Sequence, residues 1–260
     1  LKDYTIDDIY ELLIGPDPVS IIRCGDGEKI VLDGFNSFGN FNAVLKRQLG
    51  FSPPISHAEE IRNNLIVAIN QCDILGVPRH KNIDSLGKNW TQVEDTIKQY
   101  CNATEKRCSL DIHYDFLNAN YFDKLLKNRE DLYYISCRDL DFAFNVAYNI
   151  RYPHRYEIAP EAKFTSYEGK PHYPDQFIRV ERWMEKANPK GKLLLVGAGF
   201  IGKIYCNWWR DMGGKAFDIG SVFDEWAGRV TRGPERELDK VDLSGHYLLK
   251  EYNKAYGNQG

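Results

Sequence analysis

The sequence predicts an α/β fold of Rossmann-like type, with a mostly parallel sheet flanked by helices. Three observations carry that prediction. Short aliphatic and β-branched runs alternate with longer segments of helical period, the signature of strands joined by crossover helices. One junction, LLLVGAGFIG, sets a glycine-rich turn between an apolar run and an amphipathic segment. Hydrophobic residues make up 43% of the 260-residue chain, enough to cover both faces of a sheet.

Taken in order, DYTIDDIYELL has apolar residues at helical spacing, with Thr5 as N-cap and acids in the first turn. VSIIRCGDGE is a strand that ends in a Gly-Asp-Gly turn carrying charge, and GEKIVLDG continues as a second strand or a helix. FNAVLKRQLGF reads as helix, and PPISHAEEIRNNLIVAINQC as a longer helix introduced by Pro53-Pro54. DILGVPRH is a strand with a polar exit, NWTQVEDTIKQYCNAT an amphipathic helix, and YFDKLLKNREDLYYISCRDL helix, turn and strand. FAFNVAYNI has a mixed period that assigns it to neither class. Four prolines between Tyr152 and Pro174 mark an ordered loop or lid. FIRVERWMEKANPKG is a helix with a Pro-Lys-Gly stop, after which come the glycine-rich unit, a further strand in KAFDIG and a loop. The expected organisation is one catalytic domain over 1–260. Residues 1–150 carry the acidic turn, 151–190 the lid and a helix, 191–228 the βαβ unit, and 229–260 a polar tail in which Tyr247-Leu248-Leu249 can dock back.

The formal net charge of -3, with both signs interspersed, argues against a nucleic-acid partner held by phosphate contacts. The six cysteines form no CxxC pair and several sit in apolar runs, so they are read as buried free thiols. No signal peptide, lipidation motif or bilayer-length apolar run is visible. The expected location is cytoplasmic, with peripheral membrane association and self-association left open.

Two strings carry chemistry. In Arg23-Cys24-Gly25-Asp26-Gly27-Glu28, glycines flank the first of two carboxylates, a pattern suited to Mn2+ or Mg2+ bound alongside substrate phosphates. The same string also reads as an acidic surface turn with an Arg-Asp ion pair. In Gly197-Ala198-Gly199-Phe200-Ile201-Gly202, helix-start N–H groups favour a phosphate. Lys203 adds charge, and Asp218 falls where the ribose-binding acid of a Rossmann unit would lie. These glycines equally serve a tight strand-helix packing. Asp115, His172 and Asp175 are candidate bases, with His57 and His113 as further polar positions. Ser221, Asp224 and Trp226 follow the last strand, where open sheets place ligands. Arg138 and Lys163 are candidate phosphate contacts, and Trp208 and Trp209 read as packing residues.

Together SIIRCGDGE, ISCRDL, EAKF with HYPD, and LLLVGAGFIGKIYCNWWRDMGGKAFDIGSVFDEWAG resemble the bacterial glycosyltransferases of the GT-D fold, in the same order, from about Tyr4 to Gly228. The resemblance implies a Rossmann-like enzyme that moves a hexose from a UDP-sugar to a glycan or glycoprotein acceptor. Asp26 and Glu28 match the family's metal-binding DxE motif, and Arg23, Gly25 and Gly27 complete its surroundings. Cys24 departs from the pattern, which implies an aromatic such as Phe there. The expected donor-contacting set is then Arg23, Gly25, Gly27, Gly197, Gly199, Lys203, Asp218 and Ser221. Two other classes stay open on the residues alone: an NAD(P)-dependent oxidoreductase built on the glycine turn, and a non-catalytic nucleotide- or glycan-binding module.

Overall fold

The central strands are apolar on both faces, and the reason is visible in their alternation. In β7 (Leu193–Gly197) Leu193 and Leu195 point into one core, and Leu194 and Val196 into the other. Ile21 and Ile22 of β2 (Val19–Arg23) and Ile74 and Leu75 of β3 (Ile74–Val77) divide in the same way. A strand covered by helices on both sides has no solvent face, so its sequence shows a continuous apolar run. The computed structural model describes residues 2–79, 92–161 and 170–228. Lys163, Tyr247-Leu248-Leu249 and the rest of the tail lie outside the described residues.

The remaining strands are β1 (Lys2–Asp3), β4 (Lys106–Ser109), β5 (Leu132–Ser136), β6 (His154–Glu157) and β8 (Lys215–Asp218). They form one eight-stranded sheet in the order β1-β4-β3-β2-β8-β7-β5-β6, and every pairing is parallel. One face is covered by α2 (Asp26–Asp33), α3 (Phe38–Leu49), α4 (Ile55–Gln71), α5 (Val93–Tyr100), α9 (Phe177–Ala187) and α10 (Ile201–Asp211). The other is covered by α1 (Ile6–Ile14), α6 (Ile112–Asn118), α7 (Tyr121–Leu126), α8 (Asp141–Tyr148) and α11 (Val222–Trp226).

Strands β2 and β8 are neighbours in register, with Ile21 opposite Phe217, although they lie far apart in sequence. From β2 the chain winds outward through β3 and β4; β5 to β8 build the other half and return to close on β2. Winding therefore reverses between β2 and β8, and open parallel sheets leave a crevice at such a point beyond the strands' carboxyl ends.

Several expectations resolve here. GEKIVLDG is helix, so Asp26 and Glu28 sit in the first turn of α2 and not on a loop. FAFNVAYNI forms α8 and ends at Asn149 in the left-handed conformation, a residue that tolerates positive φ. The proline-rich stretch contains β6, paired to β5, and the segment after β8 contains α11. All six cysteines are free, and Trp209 is fully buried.

Candidate active site

The carboxyl ends of the central strands surround a cavity of about 400 Å³, a size that accepts a small-molecule ligand. Its floor is built from β2, β8 and the glycine turn after β7. Arg23, the last residue of β2, reaches across the strand ends. Its Nε donates to the Asp218 carbonyl oxygen at 2.9 Å, and Nη2 lies 3.4 Å from Asp218 Oδ1. Nη1 donates to the Leu110 carbonyl at 3.3 Å and faces the His113 ring nitrogens at 2.8 and 2.9 Å. Two glycines make that path open: a Cβ at Gly76 would stand 2.9 Å from Arg23 Cγ, and one at Gly220, where φ is +50°, 2.4 Å from Nη2.

Lys203 enters from the first turn of α10. Its Nζ lies 2.9 Å from Asp218 Oδ2 and 3.0 Å from Glu28 Oε1, and it donates to the Gly199 carbonyl at 3.1 Å. Glu28 Oε2 accepts the Gly25 N–H at 2.9 Å, which closes the open end of α2. Arg23, Asp218, Lys203 and Glu28 thus form a continuous buried chain of alternating charge, with Asp218 and Lys203 almost wholly out of solvent. Burial alone would raise the Asp218 carboxyl, but Arg23 and Lys203 outweigh it and hold the group below its ordinary range. Burial alone would lower Lys203, and Asp218 and Glu28 instead hold its ammonium above the usual value. Asp218 and Lys203 are therefore both charged at neutral pH.

Asp26 differs from Glu28. Its side chain is exposed at the cavity, and among the described residues only Oδ1 is engaged, by the Gly27 N–H at 2.9 Å. A divalent cation bound here with substrate phosphates finds an open oxygen on Asp26, whereas each Glu28 oxygen already faces a donor. Among the described residues no three His, Cys, Asp or Glu side chains are grouped to hold a metal by themselves. Cys24 is fully buried behind the string, and burial pushes its thiol well above the ordinary range.

The glycine turn serves packing. Gly199 has φ +57°, and a Cβ there would stand 2.3 Å from Gln48 Oε1. That Gln48 oxygen, from the last turn of α3, accepts the Phe200 N–H at 3.3 Å. Gly197, Gly199 and Lys203 line the cavity, and the Gln48 amide stands at the same helix start. A Cβ at Gly197 would lie 2.4 Å from Phe223, and one at Gly202 2.9 Å from Val196, so both admit close packing of helix on strand. Asp218 also lines the cavity, and its carboxylate faces Arg23 and Lys203.

Ser221 lines the cavity, with its Oγ 2.7 Å from the Tyr114 hydroxyl. Arg138, also lining it, pairs through Nε with Asp224 Oδ1 at 2.8 Å. His172 reaches the wall but is buried against the Tyr205 hydroxyl at 2.9 Å, and burial pushes its imidazole down to about 3. So weak a base does not fit the role expected for His172. Asp115 and Asp175 do not line the cavity; Asp111, one helical turn before Asp115, does. Arg47, Gln48, Asp111 and Tyr114 are lining residues that the sequence reading passed over. Arg47 and Gln48 sit at the end of an amphipathic helix, where polar residues ordinarily read as solvated.

Comparisons with known proteins agree with this fold. The family model described as a GT-D fold-like domain matches residues 3–226. A solved structure described as a new glycosyltransferase (DUF1792) from Streptococcus sanguinis is similar, with TM-score 0.61 and 17% identity over 93% of each chain. A selenomethionine-substituted structure of domain of unknown function 1792 gives TM-score 0.60 and 17% identity, covering 98% of this chain and 94% of that one. No curated protein matches the sequence.

Proposed function

The chain belongs to the GT-D-like family of glycosyltransferase folds, and from that premise we propose a metal-dependent transferase that moves a hexose from a UDP-sugar to a glycan or glycoprotein hydroxyl. The observation that carries the reading is the cavity at the β2–β8 crevice, where the Asp26-Gly27-Glu28 string faces a space lined by Arg23, Arg47 and Arg138. Carboxylates beside cations in one crevice suit a ligand that brings a diphosphate and a divalent ion together.

The Asp26-Gly27-Glu28 string is the proposed binding place for Mn2+ or Mg2+, with the division of roles between its two carboxylates taken up below. A bound cation there supplies Lewis-acid neutralisation of the charge that grows on the leaving diphosphate. Arg47, exposed at the cavity mouth, and Arg138 add fixed positive charge near the same oxygens. The acceptor oxygen forms a bond to the anomeric carbon as the bond from that carbon to the diphosphate oxygen breaks. The bonding pair leaves with the nucleoside diphosphate, and the acceptor proton passes to a lining carboxylate, for which Asp111 replaces the earlier candidates. Ser221 and Tyr114, bonded to each other, form a polar wall for sugar hydroxyls. No described helix is long and apolar enough to cross a membrane. We place the enzyme in the cytoplasm, acting as one catalytic domain and reaching lipid-borne acceptors by peripheral contact.

A thermal-shift screen of UDP, GDP, CMP and NAD+, each with Mn2+ and with EDTA, tests the reading. Stabilisation by UDP with Mn2+ that EDTA abolishes, followed by UDP release from a UDP-hexose, is the expected result. A shift with NAD+ alone, indifferent to metal, would move the site to the oxidoreductase class, against which the Gln48 side chain already stands. Tight UDP binding without turnover in any donor and acceptor combination would mark a binding module.

A further inference from the structure

Of the two carboxylates in the Asp-Gly-Glu string, we infer that Asp26 alone faces the divalent cation, and that Glu28 is the permanent counter-ion of Lys203. The inference rests on the metal-dependent reading above and divides the roles within it. Charge balance is the first ground. The buried chain holds two cations, Arg23 and Lys203, and two anions, Asp218 and Glu28. Were Glu28 to turn to a metal, Asp218 would be left to balance two buried cations.

Occupancy is the second ground. Glu28 Oε1 lies 3.0 Å from the Lys203 ammonium, and Oε2 accepts the Gly25 N–H at 2.9 Å. A dication approaching Oε1 meets the Lys203 charge at close range, in a buried setting that screens poorly. Turning Oε2 outward would strip the Gly25 N–H at the start of α2 of its acceptor. Asp26 pays neither penalty: it is exposed, and among the described residues its side chain accepts only the Gly27 N–H, at Oδ1. Divalent ions that keep waters and substrate phosphates commonly need only one or two carboxylates. Glu28 therefore works as a positioning residue that pins the first turn of α2, and with it Asp26, to the floor of the cavity.

The test is Mn2+ binding in the presence of UDP, read as free Mn2+ by electron paramagnetic resonance, together with urea unfolding. It is run on the wild type, Asp26→Asn, Glu28→Gln, Lys203→Met and the Glu28→Gln/Lys203→Met double variant. We expect Asp26→Asn to weaken Mn2+ at least tenfold, on the scale of about 10- to 100-fold seen even for outer-shell partners. Glu28→Gln should weaken it less than about threefold, and its loss of stability should shrink when Lys203 is also replaced, since both charges of the pair then go together. Equal weakening by Asp26→Asn and Glu28→Gln would overturn the division of roles, as would additive stability losses in the double variant. A wild type that binds no Mn2+ with UDP defeats the metal reading and the Asp26 assignment. In that case the stability cycle still decides whether Glu28 and Lys203 act as a pair.

Discussion

Gly199 shows how a single position couples backbone freedom to the site. Its φ of +57° lies in the left-handed region, and the space beyond its Cα is filled by Gln48. Replacing it with valine combines a left-handed penalty of about 1–2 kcal/mol with displacement of the Gln48 amide from the Phe200 N–H. Urea unfolding should show Gly199→Val losing about 2–4 kcal/mol. A Gly199→Ala/Gln48→Gly pair should recover the contact part of that loss and keep the backbone part. A valine variant of full stability with weakened UDP binding would instead make the turn part of the donor site. Arg23 and Lys203 illustrate the same level from the electrostatic side. Lys203 was expected to meet phosphate and Arg23 either a phosphate or a carboxylate, and both face Asp218.

Among the elements, α1 and α2 are started by related devices with different consequences. Thr5 accepts from the Asp8 N–H at 3.3 Å, while the Asp8 carboxylate accepts the Thr5 N–H at 2.8 Å. That reciprocal cap lies wholly within four residues, so it was legible in DYTIDD. Thr5→Ala should lower stability by about 1 kcal/mol in urea unfolding. An unchanged midpoint would mean that α1 is held by packing of Ile9 and Leu13 alone. In α2 the capping acid is Glu28, and its other oxygen faces Lys203 of α10, far along the chain. The acid-glycine-acid spacing therefore has two physical meanings, a helix start and a cation site, and local pattern does not separate them. The α3 end was illegible for a related reason. Gln48 acquires its role only because α3 packs over the β7–α10 turn, and nothing within FNAVLKRQLGF encodes that neighbour.

On the scale of the molecule, buried ionisable groups tie stability to pH. His172 titrates at about 3 in the fold because burial disfavours its charged form, against about 6.5 in an unfolded chain. Below 6.5 the unfolded chain binds the proton first, so stability falls as pH falls from about 6.5 toward 3 and is unaffected by this group above that window. At about 1.4 kcal/mol per pH unit, roughly 2 kcal/mol should be lost through His172 between pH 7 and pH 5. Urea unfolding at pH 7, 6 and 5 should show His172→Gln losing less over that span than the wild type. Parallel curves would mean that the imidazole is protonated in the folded protein. Asp218 acts at lower pH: its depressed carboxyl contributes stability above the unfolded aspartate range of about 3.9 and loses it as pH falls further.

What the sequence determined by itself is what local physics encodes. Continuous apolar runs such as LLLVG announce strands buried on both faces; helical periods and caps announce their crossovers; together these imply a parallel sheet before any coordinate is known. The strings around Asp26 and Gly199 were legible as chemistry because glycines beside carboxylates or beside an apolar strand have few physical uses. Their partners were not legible. The pairing of β2 with β8 brings Arg23 to Asp218, and the packing of α10 on β2 and β8 brings Lys203 to both Asp218 and Glu28. Only the tertiary structure brought two buried cations to the same aspartate. The reason is that charge pairing inside a fold depends on distance in space, and residues nearly two hundred positions apart meet only where the sheet closes on itself.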